Sequence, residues 1–104
     1  MAHVVSNIEE FNKLIEKGVV LIDFYADWCG PCRMQAPIID QVVEMYKNKI
    51  TVFKVNTDQS PDIAEMFRIR SIPTLILIKD KDILKQEAGF KTLSQLQTWI
   101  DSVI

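Results

Sequence analysis

Apolar residues recur along this chain with two alternating periods, one helical and one of strands. Ile8, Phe11, Leu14 and Ile15 share one helical face. Ahead of them, Ser6-Asn7-Ile8-Glu9 fits a capping box, with Ser6 accepting a backbone N–H and Glu9 reaching back to the Ser6 amide; Gly18 is placed to end the helix. Residues 19–26 then read as a strand apolar on both faces, as a central strand covered on each side must be, and only Asp23 interrupts them. A long helical stretch from about 31 to 47 presents Ile38, Ile39, Val42, Val43 and Tyr46, with Pro37 inside it removing a hydrogen bond and predicting a kink. Residues 51–56 form a second central strand. Ser60-Pro61 marks a helix start, cap and then first turn, with Ile63, Met66 and Phe67 as the inner face. Residues 74–79 and 83–88 read as strands joined in a hairpin at Asp80-Lys81-Asp82. Leu93, Leu96, Trp99, Ile100 and Val103 define a closing amphipathic helix, and Phe11, Phe24, Phe53 and Trp99 belong to the core.

With a short strand at the N-terminus, the order is strand, helix, strand, helix, strand, helix, strand, strand, helix. Alternating β and α units imply a largely parallel sheet with helices on both faces, and the hairpin adds an antiparallel edge. The expectation is an α/β fold in which residues 1–104 make one domain, without repeats or linkers.

Charge and composition narrow the function by exclusion. The formal net charge is -2 with lysines and arginines scattered, so no footprint for nucleic acid is present. The longest purely aliphatic runs, 19–22 and 75–78, are four residues each, against the twenty or so that a membrane span needs. Residues 1–11 carry Glu9 and Glu10 and lack a basic leader or apolar run, so no signal peptide is expected. A soluble, cytoplasmic protein is the expectation.

Chemistry enters with the only two cysteines, Cys29 and Cys32. A disulfide between them closes too small a loop to brace the fold, which points to reactivity rather than structure. In a reducing compartment such a bond is transient. The pair lies in Trp28-Cys29-Gly30-Pro31-Cys32, where the first central strand gives way to the long helix, the place where open α/β sheets put active sites. Cys29 then stands at a helix N-terminus, whose free amides and dipole favour a thiolate, and Cys32 lies within the first turn. Gly30 is read as allowing a tight turn and Pro31 as fixing φ where no amide hydrogen is needed. The same spacing occurs in zinc sites, but zinc takes four ligands and the only histidine, His3, is distant and read as solvent-facing. A zinc site shared between two chains is the one metal alternative; no metal is expected.

The run Ile22-Asp23-Phe24-Tyr25-Ala26-Asp27-Trp28-Cys29-Gly30-Pro31-Cys32-Arg33-Met34 resembles the active-site segment of the thioredoxin family. Pro37, Lys54-Val55-Asn56-Thr57-Asp58, Ile69-Arg70-Ser71-Ile72-Pro73-Thr74 and Gly89 match family positions in order, so the resemblance covers essentially the whole chain. It implies the thioredoxin fold, a central mixed five-stranded sheet flanked by four helices. It also implies a protein-disulfide reductase that serves as a general cytoplasmic electron donor. Cys29 would be the attacking thiol, Cys32 the resolving thiol and Asp23 the base that takes the Cys32 proton. An acid in the middle of an apolar strand has its pKa raised, which suits that role; a carboxylate simply held by Lys54 or by solvent is the alternative. Lys54 resembles the family lysine near that acid, and Pro37 the family's helix proline. By resemblance, Trp28, Gly30, Pro31, Ile72, Ala88, Gly89 and Phe90 surround Cys29 as an apolar contact surface. A cis peptide before Pro73 leaves the Ile72 backbone to pair with an extended substrate. No bound cofactor is implied. The partners would be disulfide-containing proteins and a thioredoxin reductase that passes electrons from NADPH through a flavin, and the chain is expected to act as a monomer.

Several positions depart from the family pattern. Tyr25 stands where many relatives have tryptophan, and Arg33 replaces a common lysine. Arg68 and Ser71 occupy places that are often glycine, which bears on partner choice. The turn at Lys81 lacks the familiar glycine, so its geometry is expected to change. Two rival functions remain open: a disulfide-forming or isomerising enzyme, and a binding module in which the thiols are incidental.

Overall fold

The alternating periods do resolve into alternating elements. The computed structural model describes residues 2–104 as β1 (His3–Val4), α1 (Ile8–Leu14), β2 (Val19–Tyr25), α2 (Gly30–Met45), β3 (Thr51–Asn56), α3 (Pro61–Met66), β4 (Thr74–Lys79), β5 (Asp82–Ala88) and α4 (Leu93–Asp101). The five strands form one sheet in the order β1-β3-β2-β4-β5. β3 runs parallel to β1 and β2, while β4 is antiparallel to both β2 and β5. This is the mixed five-stranded sheet with four helices that the family resemblance implies.

Strand alternation divides the core in two. Val19, Leu21, Leu75 and Leu77 face α2 and α4, where they meet Ile39, Val42, Leu96, Trp99 and Ile100. Val20, Ile22, Phe24, Phe53, Val55, Ile76 and Ile78 face α1 and α3, against Phe11, Ile63 and Ala64. Phe11 packs edge-on against Phe53 and Phe67 at 5.6 Å between centroids. β2 is buried along almost its whole length, which explains its nearly uninterrupted apolar sequence.

Local chemistry corrects four expectations. Asn7, not Ser6, caps α1: its side chain accepts from the Glu9 and Glu10 amides, so no Ser6–Glu9 capping box forms. The helix ends at Leu14, and Gly18, at φ +76°, belongs to the turn into β2. Ser60 sits at the start of α3, but its side chain makes no cap there and instead lies 3.5 Å from the Ser6 carbonyl. Met66 is exposed, because the short α3 turns only Ile63 and Ala64 squarely into the core.

Besides Asn48 at φ 67°, two turns keep left-handed backbone without glycine. Lys79 pairs with Asp82, so the hairpin loop is Asp80-Lys81, and both residues have positive φ, 48° and 76°. A two-residue primed turn forms there with two non-glycine residues, and the β4–β5 register shifts between Leu77 and Ile78. Asp80 helps to hold it. Its carboxylate accepts the Gly18 N–H at 2.7 Å, and its own N–H donates to the Gly18 carbonyl at 3.0 Å. After α3, Arg68 has φ +52°, with its N–H on the Glu65 carbonyl and the Ile69 N–H on the Ala64 carbonyl. That is a Schellman ending with arginine in the glycine position. The edge strand β5 is exposed along all seven residues.

Candidate active site

The turn from β2 into α2 carries the site. Cys29 is the residue before the first turn of α2, with φ -87° and ψ 114°, and Pro31 occupies the first turn, where its missing N–H is not needed. Cys29 and Cys32 are joined in a disulfide. The Cys32 N–H points at Cys29 Sγ over 3.2 Å, so a free helix-terminal amide is aimed at the sulfur, the arrangement that stabilises a thiolate once the bond is reduced. The two cysteines keep only 4% and 3% of their surfaces, so access runs over the rim beside them.

The residues around that rim come from three separate loops. Trp28 is 70% exposed, and its indole N–H donates to the Asp58 carboxylate at 2.9 Å, which fixes the ring at the protein surface. The Ile72–Pro73 peptide is cis, and the Ile72 carbonyl oxygen lies 3.7 Å from Cys29 Sγ. β4 pairing begins only at Thr74, so the Ile72 backbone takes no part in the ladder. Gly89, at φ +99°, turns the chain out of β5 and donates its N–H to the Pro73 carbonyl at 2.8 Å. Exposed Phe90 follows it. A groove of about 350 Å³ runs along Trp28, Thr57, Ile69, Arg70, Ser71 and Ile72. Gly30 corrects one expectation: it lies in helical backbone, and a Cβ there would meet nothing closer than Arg33 Nη2 at 3.9 Å, so the turn does not require glycine.

Behind the disulfide the surroundings change from apolar rim to buried acid. Asp23 is wholly buried in β2, and neither carboxylate oxygen has a hydrogen-bond partner among the described residues. Burial therefore raises its pKa from 3.8 to about 7, against a smaller downward pull from Lys54. Lys54 sits beside Asp23 in the β2–β3 register. A cavity of about 190 Å³, lined by Cys32, Tyr25, Ala36 and Lys54 among others, opens on this side of the cysteines. Pro37 lies inside α2 with its ring exposed, one turn beyond Arg33.

The thioredoxin family model matches residues 2–102. The chain belongs to the thioredoxin family. It is 45% identical over 85 residues to the thioredoxin of Alicyclobacillus acidocaldarius, covering 82% of this chain and 81% of that one. It is 44% identical over 82 residues to thioredoxin 1 of Synechococcus elongatus, covering 79% and 77%. Among solved structures, oxidised mitochondrial thioredoxin 3 from Saccharomyces cerevisiae superposes with a TM-score of 0.87 at 32% identity, over 97% of this chain and 94% of the other. With the Cys29–Cys32 disulfide in place at the helix start, membership makes the chain a thiol–disulfide oxidoreductase.

Two contributors to the site have no trace in the cysteine motif. Asp58, which tethers Trp28, is thirty residues away in sequence, and no spacing rule connects them. Gln35 is wholly buried and clips α2 to the chain after β5: its Nε2 donates to the Lys91 carbonyl at 3.0 Å, and its Oε1 accepts the Lys91 N–H at 2.8 Å. The signal for Gln35 was present, since it falls on the buried stripe with Cys32, Ile39 and Val42. His3, the sole histidine, is exposed and bonded to Glu10 at 2.9 Å.

Proposed function

We propose that this chain is a cytoplasmic, monomeric, single-domain electron donor that reduces protein disulfides and is itself re-reduced by a thioredoxin reductase. The observation that carries the reading is the Cys32 amide aimed at Cys29 Sγ at the start of α2, with the second sulfur one helical turn behind. In the reduced protein, the Cys29 thiolate attacks one sulfur of a substrate disulfide. That bond breaks, the other substrate sulfur leaves and takes a proton from solvent, and a mixed disulfide remains. Cys32 passes its proton to Asp23 and attacks Cys29 Sγ, expelling the second substrate sulfur, which is protonated as Asp23 gives up the proton it took. The substrate gains two electrons and two protons, and Cys29–Cys32 ends oxidised.

Asp23 suits the proton step because a base with a pKa near 7 accepts and returns a proton at neutral pH. Trp28, Gly30, Pro31, Ile72, Pro73 and Gly89 form the surface on which the substrate rests, its extended backbone pairing with Ile72 as an added strand. Pro37 and Lys54 support the helix and the acid.

Insulin reduction with a dithiol donor tests the activity. Cys32→Ser is expected to accumulate a covalent complex with substrate, visible on a non-reducing gel, and Cys29→Ser is not. Equal trapping by both variants would reverse or void the assigned roles. A reduction potential near about -270 mV, usual for thioredoxins, is expected; one near about -180 mV would place the chain with the isomerases.

A further inference from the structure

Tyr25 and Lys54 make a contact that the reaction scheme leaves unused. Lys54 Nζ stands over the Tyr25 ring, 4.3 Å from its centroid, close enough for a cation–π attraction. Lys54 is also the strand neighbour of Asp23, yet no ion pair among the described residues joins them, and both Asp23 oxygens lack a partner. The ammonium group is therefore held on the aromatic face while the carboxyl of its strand neighbour stays bare. Tyr25 and Lys54 both line that cavity together with Cys32.

We propose that Tyr25 is a positioning residue: its ring face holds the Lys54 ammonium away from Asp23 and so keeps the buried acid protonatable at neutral pH. The inference rests on the reading of Asp23 as proton acceptor but concerns only how the acid is kept fit for that task. An opposite charge brought into contact would favour the carboxylate and lower its pKa. The ring provides a competing seat.

Other ionisable groups do not supply this control. Asp27 from the turn after β2, Cys32 and Arg33 from α2, and Lys54 from β3 line the cavity with Tyr25, and of these Lys54 is the one whose charge acts on Asp23. Arg33 Nη1 is bonded to the Asp27 carbonyl at 3.0 Å. β4 presents Leu75 opposite Asp23 and brings no charge. On the α4 side, Lys91 Nζ is bonded to the Ala88 and Gly89 carbonyls, and Asp101 is bonded to Tyr46.

The test is the titration of Asp23 in the oxidised protein, followed by its side-chain carboxyl carbon resonance, where no thiol titrates and no turnover is needed. Tyr25→Leu is expected to move the midpoint down by about one pH unit. Tyr25→Phe, which keeps the face and loses the hydroxyl, is expected to leave it in place. In a Lys54→Met background, Tyr25→Leu should produce no further downward shift. Tyr25→Met serves the same purpose if the leucine variant does not fold. An unmoved midpoint in Tyr25→Leu, an equal shift in Tyr25→Phe, or a shift that survives Lys54→Met would each overturn the proposal. Loss of insulin reduction with the titration behaving as expected would instead count against the proposed function alone.

Discussion

At the scale of single residues, Asp23 sets two quantities against each other. Its folded pKa of about 7 lies above the ordinary 3.8, so the folded state binds more protons than the unfolded chain between those values. Stability is then fully present below about pH 4 as far as this group is concerned, and falls as pH rises through 7. Three units correspond to up to about 4 kcal/mol. Asp23→Asn is expected to stabilise the oxidised protein at pH 8 by roughly 2–4 kcal/mol in urea unfolding and to flatten the decline between pH 4 and 7. The same variant should slow release of substrate from the mixed disulfide, on the order of a hundredfold at pH 7, in single-turnover kinetics. Stabilisation without slowing would leave Asp23 an idle buried acid; slowing without stabilisation would mean that water reaches its carboxylate.

Elements show where local rules were bent. Arg68 closes α3 in the left-handed conformation, which an L residue adopts at roughly 1–2 kcal/mol. Glycine there removes that strain but adds freedom to the unfolded chain, about 0.5–1 kcal/mol in the other direction. Arg68→Gly is therefore expected to raise stability by about 0.5–1 kcal/mol, read as a higher urea midpoint at unchanged slope. A lowered midpoint would show that the guanidinium makes a contact worth more than the strain. The strand and helix order was legible because periodicity changes with each element, and β2 announced its central place by being apolar on both faces. What sequence could not settle were choices between adjacent polar residues. Ser6 and Asn7 both qualify as caps by residue type, and it is Asn7 whose side chain accepts the Glu9 and Glu10 amides. Met66 looked like core because a helical stripe does not reveal that the helix ends before the stripe is covered. The Asp80-Lys81 turn is held by Asp80, which is anchored to Gly18, a partner sixty-two positions away.

Over the whole molecule, the sheet acts as a partition with separate packing on each side, and the reactive helix is fastened on one side only. Gln35 provides a central fastening. With Gln35→Ala, the Lys91 N–H and carbonyl lose their partners in a buried setting, at about 1–3 kcal/mol for each group left unsatisfied. A global loss of roughly 2–4 kcal/mol is expected by urea unfolding, with earlier hydrogen exchange in α2 and α4 than in α1 and α3. Uniform acceleration across all four helices would argue that the two sides unfold as one. The dithiol itself was readable from its motif and its position after a central strand. The groups that govern its surroundings were not, since Asp58 under Trp28 and the Tyr25 ring under Lys54 come together only when distant strands and loops close.

The open border of the sheet has a consequence for how copies of this chain behave when crowded. Ile83 and Leu84 are exposed on β5, a combination that invites another strand to zip alongside. Asp82, Lys85 and Glu87 punctuate the same seven residues with charge of both signs. Any would-be sixth strand has to strip water from these groups before it gains a backbone bond. The border thus carries its own deterrent to fibre growth, so concentrated solutions should stay clear until one of those charges is erased.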